Sequence, residues 1–107
     1  MKKHDLEQEV AELLQREHHG MLSTFVTADC DDKAAGFPFG SVVRFVIGQS
    51  DQNKGAPILL LSRIAEHSKH IAQQNKASLL ISETDAKKDI QQQARLTLLG
   101  TMRRLSI

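Results

Sequence analysis

The residue types that could do chemistry are concentrated where an apolar run gives way to hydroxyl-bearing and cationic side chains. The run PILLL is followed by Ser62 and Arg63, and then by His67, Ser68 and Lys69. The first N–H groups of a helix lack partners and its dipole is positive there, so a strand that leads into such a helix favours an anion. Lysine attracts phosphate as a point charge, and serine donates a hydroxyl hydrogen bond to it. The stretch therefore predicts an anion site, with phosphate as the expected guest.

The same residues also allow a purely structural interpretation. Ser68 can cap a solvated first helical turn while Lys69 faces water, and Arg63 can pair weakly with Glu66 three positions along the helix surface. Both interpretations stay open from this pattern alone. Because imidazole titrates near neutrality, we expect any contribution of His67 to anion binding to strengthen as the pH falls.

Other reactive residue types give little support for catalysis or metal binding. His67 and His70 are spaced to share a helical face, but no carboxylate or cysteine at ligand spacing completes a metal site. Cys30 lies among aspartates, which disfavour its thiolate. Ser23 and Thr24 have no adjacent base in any visible motif, so a hydrolase triad finds no support. We predict no metal site and name no catalytic residue.

Length and composition describe one globular domain spanning residues 1–107. Hydrophobic residues make up 40% and charged residues 25%, which is ordinary for a soluble protein. Lys and Arg number 14 against 13 Asp and Glu, and the net charge of +1 gives no reason to expect a nucleic-acid partner. Aromatic residues are only 4%, too few for platforms that stack bases.

The single cysteine and the N-terminus predict the compartment. Cys30 can form no internal disulfide, which favours a reducing environment. The first lysines are followed by glutamates instead of an apolar run, so we expect no signal peptide. No window approaches the length of a membrane span. We expect a cytoplasmic protein without a membrane partner.

The elements that must position the candidate residues begin with a helix predicted over residues 5–18. Asp5 with Gln8 resembles a capping box, and apolar residues then recur on one helical face. Gly20 is predicted to end the helix in the left-handed conformation.

The rest of the chain predicts a mainly β architecture with a second helix over residues 65–74. Hairpin-connected strands with only two helices favour an antiparallel sheet curled into a small β-barrel, because a parallel sheet would need a crossover helix after nearly every strand. Period-two and β-branched patterns predict strands over residues 21–27, 41–47, 58–61, 77–82 and 94–105.

Five segments recur in the order found in a known family. They are GMLST at 20–24, GFPFGSVV at 36–43, LLLSRIAEHSKHI at 59–71, NKASLLIS at 75–82 and ARLTLLGTM at 94–102. Together they resemble the haem-utilisation branch of the pyridoxamine phosphate oxidase-like FMN-binding split barrels, over nearly the whole chain. The resemblance implies an antiparallel split β-barrel with two short helices, which forms a homodimer and binds FMN at the subunit interface.

The resemblance also implies which residues would hold the flavin. The phosphate ligands would be His67, Ser68 and Lys69, with Ser62 and Arg63 as further candidates.

The flavin ring, by the same resemblance, would lie against Ser41, Val42 and Val43. Arg44 stands where relatives more often have a proline, and it would add a phosphate contact or alter the pocket.

Three functions follow from the resemblance. The first is an FMN-dependent oxidoreductase, in which the flavin carries the redox chemistry. The second is a haem-handling protein of the same fold that uses basic residues for the haem propionates. The third is a non-enzymatic interaction protein, because PFG and ARLTLLGTM also resemble the secreted CREG glycoproteins, which are split barrels that do not use FMN.

Relatives continue past the ARLTLLG segment into another strand and further helices. The histidine that ligates haem iron in some of them belongs to that tail, whereas this sequence stops at Ile107. We therefore do not expect haem degradation from this chain. The short C-terminus is also expected to leave a sheet edge or an apolar patch exposed, and a dimer would cover it.

Overall fold

Residues 3–62 and 65–105, which the computed structural model describes, form two α-helices, five β-strands and one short 3₁₀ helix. The elements follow in the order α1 (Lys3–Arg16), β1 (His19–Phe25), β2 (Pro38–Ile47), β3 (Pro57–Leu59), α2 (Glu66–Gln73), β4 (Lys76–Ser82), the 3₁₀ helix (Ile90–Gln92) and β5 (Arg95–Thr101). The sequence predicts this order of helices and strands correctly, apart from the 3₁₀ helix. Neither α-helix within the described ranges is long and apolar enough to cross a membrane.

The strands form a single antiparallel sheet in the order β3-β2-β1-β4-β5. β1 lies at the centre, paired with β2 on one side and β4 on the other. The sheet curls into a half-barrel with the two helices beside it, so the predicted mainly β, split-barrel fold is confirmed.

The core lies between one face of the sheet and α1. Alternation along β1 buries Gly20, Leu22 and Thr24 and turns the intervening side chains outward. α1 contributes Leu13 from its apolar stripe. The buried hydrophobic cluster consists of Leu13, Leu22, Val43, Phe45, Leu79 and Ile81.

The opposite face of the sheet carries apolar side chains that nothing in the described chain covers fully. Register places Met21 beside Val42 on β2 and beside Leu80 on β4. Val42 is 70% exposed and Leu99 on β5 is 82% exposed. We call this surface the outer apolar face, formed by Met21, Phe25, Val42, Leu80 and Leu99.

The predicted end of the first helix is wrong. α1 ends at Arg16, because the chain already joins the sheet at His18, whose carbonyl accepts a hydrogen bond of 3.0 Å from the Phe45 N–H. Gly20 lies within β1, and the positive-φ residues of the described chain are Gly36 and Gly55. Gly20 is needed there for space instead, since a Cβ on it would lie 2.7 Å from Leu79 Cδ1.

Other predicted boundaries are displaced by a few residues. Asp5 lies inside the first turn of α1 and not ahead of it. β2 begins at Pro38, because residues 38–40 continue the ladder with the end of β1. β5 ends at Thr101, so Arg103 and Arg104 lie beyond the sheet.

Candidate functional site

α2, which carries most of the predicted anion-binding residues, is held on the sheet by His70. This side chain is 1% exposed and is the buried residue of the helix. Its Nδ1 lies 2.9 Å from the Thr24 hydroxyl on β1, and its ring meets Phe39 edge-on with the centroids 5.1 Å apart. His70 therefore fixes the position of α2 against β1 and β2.

One tautomer of His70 suits both polar neighbours of the ring, with a hydrogen bond to Thr24 and a longer contact to Glu66. With its proton on Nε2, a neutral imidazole accepts from the Thr24 hydroxyl at Nδ1 and turns Nε2–H towards Glu66, whose Oε2 is 3.6 Å away. We call Thr24, His70 and Glu66 the His70 anchor.

The His70 anchor has the composition of a hydrolase triad, yet its position does not suit one. The sequence shows no base near Thr24, and the structure brings one to it across 46 positions of the chain. A nucleophile must reach a substrate carbonyl, whereas Thr24 is only 1% exposed. In this arrangement the buried bond between Thr24 and His70 joins α2 to β1.

Ser68 and Lys69, predicted as phosphate ligands, already have partners within the chain. The Ser68 hydroxyl donates to the Ser62 carbonyl at 2.5 Å, and Lys69 Nζ lies 3.5 Å from Glu66 Oε1. Arg63, a further predicted ligand and a predicted partner of Glu66, lies outside the described residues.

His67, the remaining predicted phosphate ligand on α2, is half-buried. Burial lowers the pKa of His67 below its usual value of 6.5, and the electrostatic effect of nearby His70 lowers it further. Any gain in anion binding from protonation of His67 therefore requires a pH below that value.

Ser68 and Lys69 line an open groove of about 1580 Å³, which we call the basic groove. Its walls come from β2, β3, α2 and the segment that follows β5. Apolar wall residues include Ile58, Leu59, Leu61, Ile71 and Met102. The titratable side chains among its described lining residues are all basic: His18, Arg44, Lys69, Arg103 and Arg104.

Only some of the residues predicted to bind the flavin line the basic groove. Arg44, Ser68 and Lys69 line it together. Val43 is buried in the core, and Val42 projects from the outer apolar face. The predicted residues that lie outside its lining are Ser41, Val42, Val43, Ser62 and His67.

Sequence reasoning missed three basic residues of the groove and the buried anchor of α2. Arg103 and Arg104 fall within the strand predicted over residues 94–105, whereas β5 ends at Thr101. His18 was assigned to a helix that ends at Arg16. His70 appeared only as a neighbour of His67 at helical spacing, and no local pattern links it to Thr24.

Apolar walls with a cationic rim suit one type of ligand, a largely apolar molecule that carries anionic groups. Wall residues remove the apolar body from water, and Lys and Arg form charge-assisted hydrogen bonds with carboxylate or phosphate.

Comparison with known proteins places the chain in the split-barrel class of β proteins. The family described as CREG, beta-barrel matches residues 3–106, so the chain belongs to this family. Among curated proteins, none matches the chain significantly.

Two similar solved structures are haem proteins by description. A haem-binding protein from Mycobacterium smegmatis shares 31% identity with a TM-score of 0.69, over 89% of this chain and 36% of the other. The haem storage protein HutZ from Vibrio cholerae shares 25% identity with a TM-score of 0.67, over 94% of this chain and 66% of HutZ.

A third similar structure, a protein of unknown function from Agrobacterium tumefaciens, supports the fold alone. It shares 17% identity with a TM-score of 0.79, over 99% of this chain and 41% of the other. The chain thus spans between 36% and 66% of the length of these three structures.

Proposed function

We propose that this protein binds haem in the basic groove. Haem is a flat apolar macrocycle with two carboxylates, and the residues present fit such a group. The observation that carries the proposal is the composition of the groove, whose described titratable residues are all basic while its walls are largely apolar. The two haem proteins of similar structure, at 31% and 25% identity, support the same ligand.

The residues that would hold the haem follow from their chemistry. Arg44, Arg103 and Arg104 offer planar guanidinium forks that pair with carboxylates through two hydrogen bonds, and Lys69 offers a point charge. His18 also lines the groove and provides an imidazole, a common ligand of haem iron. Bound haem would supply the redox and ligand-binding chemistry of the iron, and the protein would bind and orient it.

FMN is the second candidate, favoured by the presence of Ser68 and Lys69 in the same groove. The flavin would make the protein an FMN-dependent oxidoreductase related to pyridoxamine phosphate oxidase. The Ser68 hydroxyl would first have to leave the Ser62 carbonyl before donating to a phosphate. For this reason haem takes precedence.

A non-enzymatic interaction protein is the third candidate, and membership of the CREG β-barrel family favours it. A stable dimer that binds neither haem nor FMN would select this function. We also propose a cytoplasmic location, since the single cysteine, Cys30, favours a reducing compartment.

We further propose that the protein is a homodimer joined through the outer apolar face. Val42 and Leu99 are the most exposed members of that face, and large exposed apolar patches mark interaction sites. A two-fold axis would bring the same patch of each protomer together, which buries both without requiring a second kind of surface.

Titration of the protein with haemin, followed by the Soret absorbance, tests the proposal. The wild-type protein should shift the Soret band of haemin until binding reaches saturation. Arg44→Gln and Lys69→Gln should each weaken binding about tenfold, because each removes a charge-assisted contact. Arg95→Gln and Lys54→Gln remove the same charges outside the groove and should bind as the wild type does.

The outcomes separate the candidates. A wild-type protein that leaves the haemin spectrum unchanged contradicts haem binding. Under those conditions, quenching of FMN fluorescence on mixing would favour the flavoprotein. Equal losses in the groove variants and their controls would mean that haemin binds through overall charge and not in the basic groove.

A further inference from the structure

Glu66 lies between a cation of the basic groove and the buried imidazole that holds α2. Its Oε1 is 3.5 Å from Lys69 Nζ, and its Oε2 is 3.6 Å from His70 Nε2. The side chains of Glu66 and Lys69 are each 52% exposed, whereas that of His70 is 1% exposed. One carboxylate thus contacts a half-exposed cation with one oxygen and faces a buried ring with the other.

The three side chains differ in their freedom to move. His70 is held by the Thr24 hydroxyl at 2.9 Å and by the edge contact with Phe39. Glu66 and Lys69 are long, half-exposed side chains whose ion pair costs little to separate. A small rotation of Glu66 can therefore exchange Lys69 for the Nε2–H of His70 without any change in the backbone.

From this arrangement we infer that Glu66 is an internal competitor that sets the affinity of the basic groove for anionic ligands. In the free protein the Glu66 carboxylate forms an ion pair with Lys69. A ligand carboxylate replaces Glu66 as the ion-pair partner of Lys69. Glu66 then accepts a hydrogen bond from the Nε2–H of His70. This inference rests on the proposed function, because it takes Lys69 as a contact of the ligand.

His70 lowers the free-energy cost of moving Glu66 away from Lys69. A displaced carboxylate without a partner would remain near the incoming anion and repel it. The imidazole offers a hydrogen-bond donor to the other oxygen of Glu66, Oε2, and a neutral ring suffices for this. Glu66 therefore lowers the affinity of the basic groove without preventing binding.

The test compares haemin dissociation constants in a double-mutant cycle of Glu66→Gln and Lys69→Gln. Glu66→Gln keeps the size of the side chain and removes its charge, so it should bind haemin about two- to fivefold more tightly than the wild type. In the Lys69→Gln background the same change should give no gain. Glu9→Gln removes an equal charge from an exposed site on α1 and should leave the dissociation constant unchanged.

The outcomes distinguish this inference from the proposed function. If the wild type binds haemin and Glu66→Gln binds it equally, only the inference fails. If the gain persists without Lys69, the effect is general charge repulsion and the inference also fails. If the wild type does not bind haemin, both the proposed function and this inference fail. Thermal melting of each variant confirms that the fold is intact.

Discussion

At the scale of single residues, burial decides how much the His70 anchor matters. A hydrogen bond on the surface can be replaced by water, but the Thr24 and His70 side chains are each 1% exposed. A buried polar atom that loses its partner retains the cost of leaving water. The bond between these two residues is therefore worth more to the position of α2 than the ion pairs on the helix surface.

Thr24→Val should lower the free energy of unfolding by about 1–3 kcal/mol, because it keeps the shape of the side chain and leaves His70 Nδ1 without a partner. Chemical denaturation measures this change. Thr97→Val makes the same substitution at an exposed position of β5 and should stay within about 0.5 kcal/mol of the wild type. Equal stability of both variants would contradict the role given to the anchor.

A second residue pair, formed by Glu83 directly after β4 and Lys88 in the following turn, responds to pH. The Lys88 ammonium lies 2.8 Å from Glu83 Oε1, and this hydrogen bond is the main cause that lowers the pKa of Glu83 below 4.5. The same contact raises the pKa of Lys88. A lowered carboxyl pKa contributes stability above its unfolded value, and the contribution is lost as the pH falls through the folded pKa.

Lys88→Gln should therefore be less stable than the wild type at pH 7, and the difference should vanish as the pH falls through the lowered pKa of Glu83. It should also vanish at alkaline pH, above the raised pKa of Lys88. Denaturation curves across pH measure both limits. Lys87→Gln, in the same turn, should show no such pH-dependent difference. A constant gap between Lys88→Gln and the wild type would refute the assignment.

At the scale of elements, the close approach of β1 and β4 depends on Gly20. Gly20→Ala should destabilise the protein by about 1–3 kcal/mol, since the new methyl group meets Leu79, a core residue that cannot move freely. Gly100→Ala meets nothing within 4 Å and should be neutral or slightly stabilising. Thermal melts of the two variants test this, and a Gly20→Ala protein as stable as Gly100→Ala would contradict the packing described.

The elements themselves could be predicted from the sequence because their patterns are local. Period-two alternation in β1 and β4, and the apolar stripe of α1, are visible in short windows. Their ends are set by tertiary contacts instead. The carbonyl of His18 bonds to the Phe45 N–H, 27 positions further along the chain, and so ends α1 earlier than its own sequence predicts.

At the scale of the whole molecule, the basic groove shows why sites are harder to predict than folds. Arg44 lies on β2, Lys69 on α2, and Arg103 and Arg104 follow β5. Local pattern and resemblance identified Arg44 and Lys69 as candidates. Arg103 and Arg104 become groove residues only because β5 ends at Thr101, and no spacing in the sequence shows this.

The outer apolar face predicts association of the whole molecule. Leu99→Glu places a charge on the edge strand β5 within the proposed interface and should convert a dimer into a monomer at micromolar concentration, as measured by sedimentation velocity. Ile90→Glu, at a 74% exposed position away from the strands, should leave the dimer intact. A wild-type protein that sediments as a monomer would contradict the homodimer.

Haem binding in the basic groove can be measured through the Soret spectrum of haemin mixed with the Arg103→Gln/Arg104→Gln double variant. Both residues lie beyond β5, so the fold should survive their replacement. Haemin should shift its Soret band with the wild type and with Arg95→Gln, and the double variant should lose most of this affinity. No shift with the wild type, or an undiminished shift with the double variant, would contradict it.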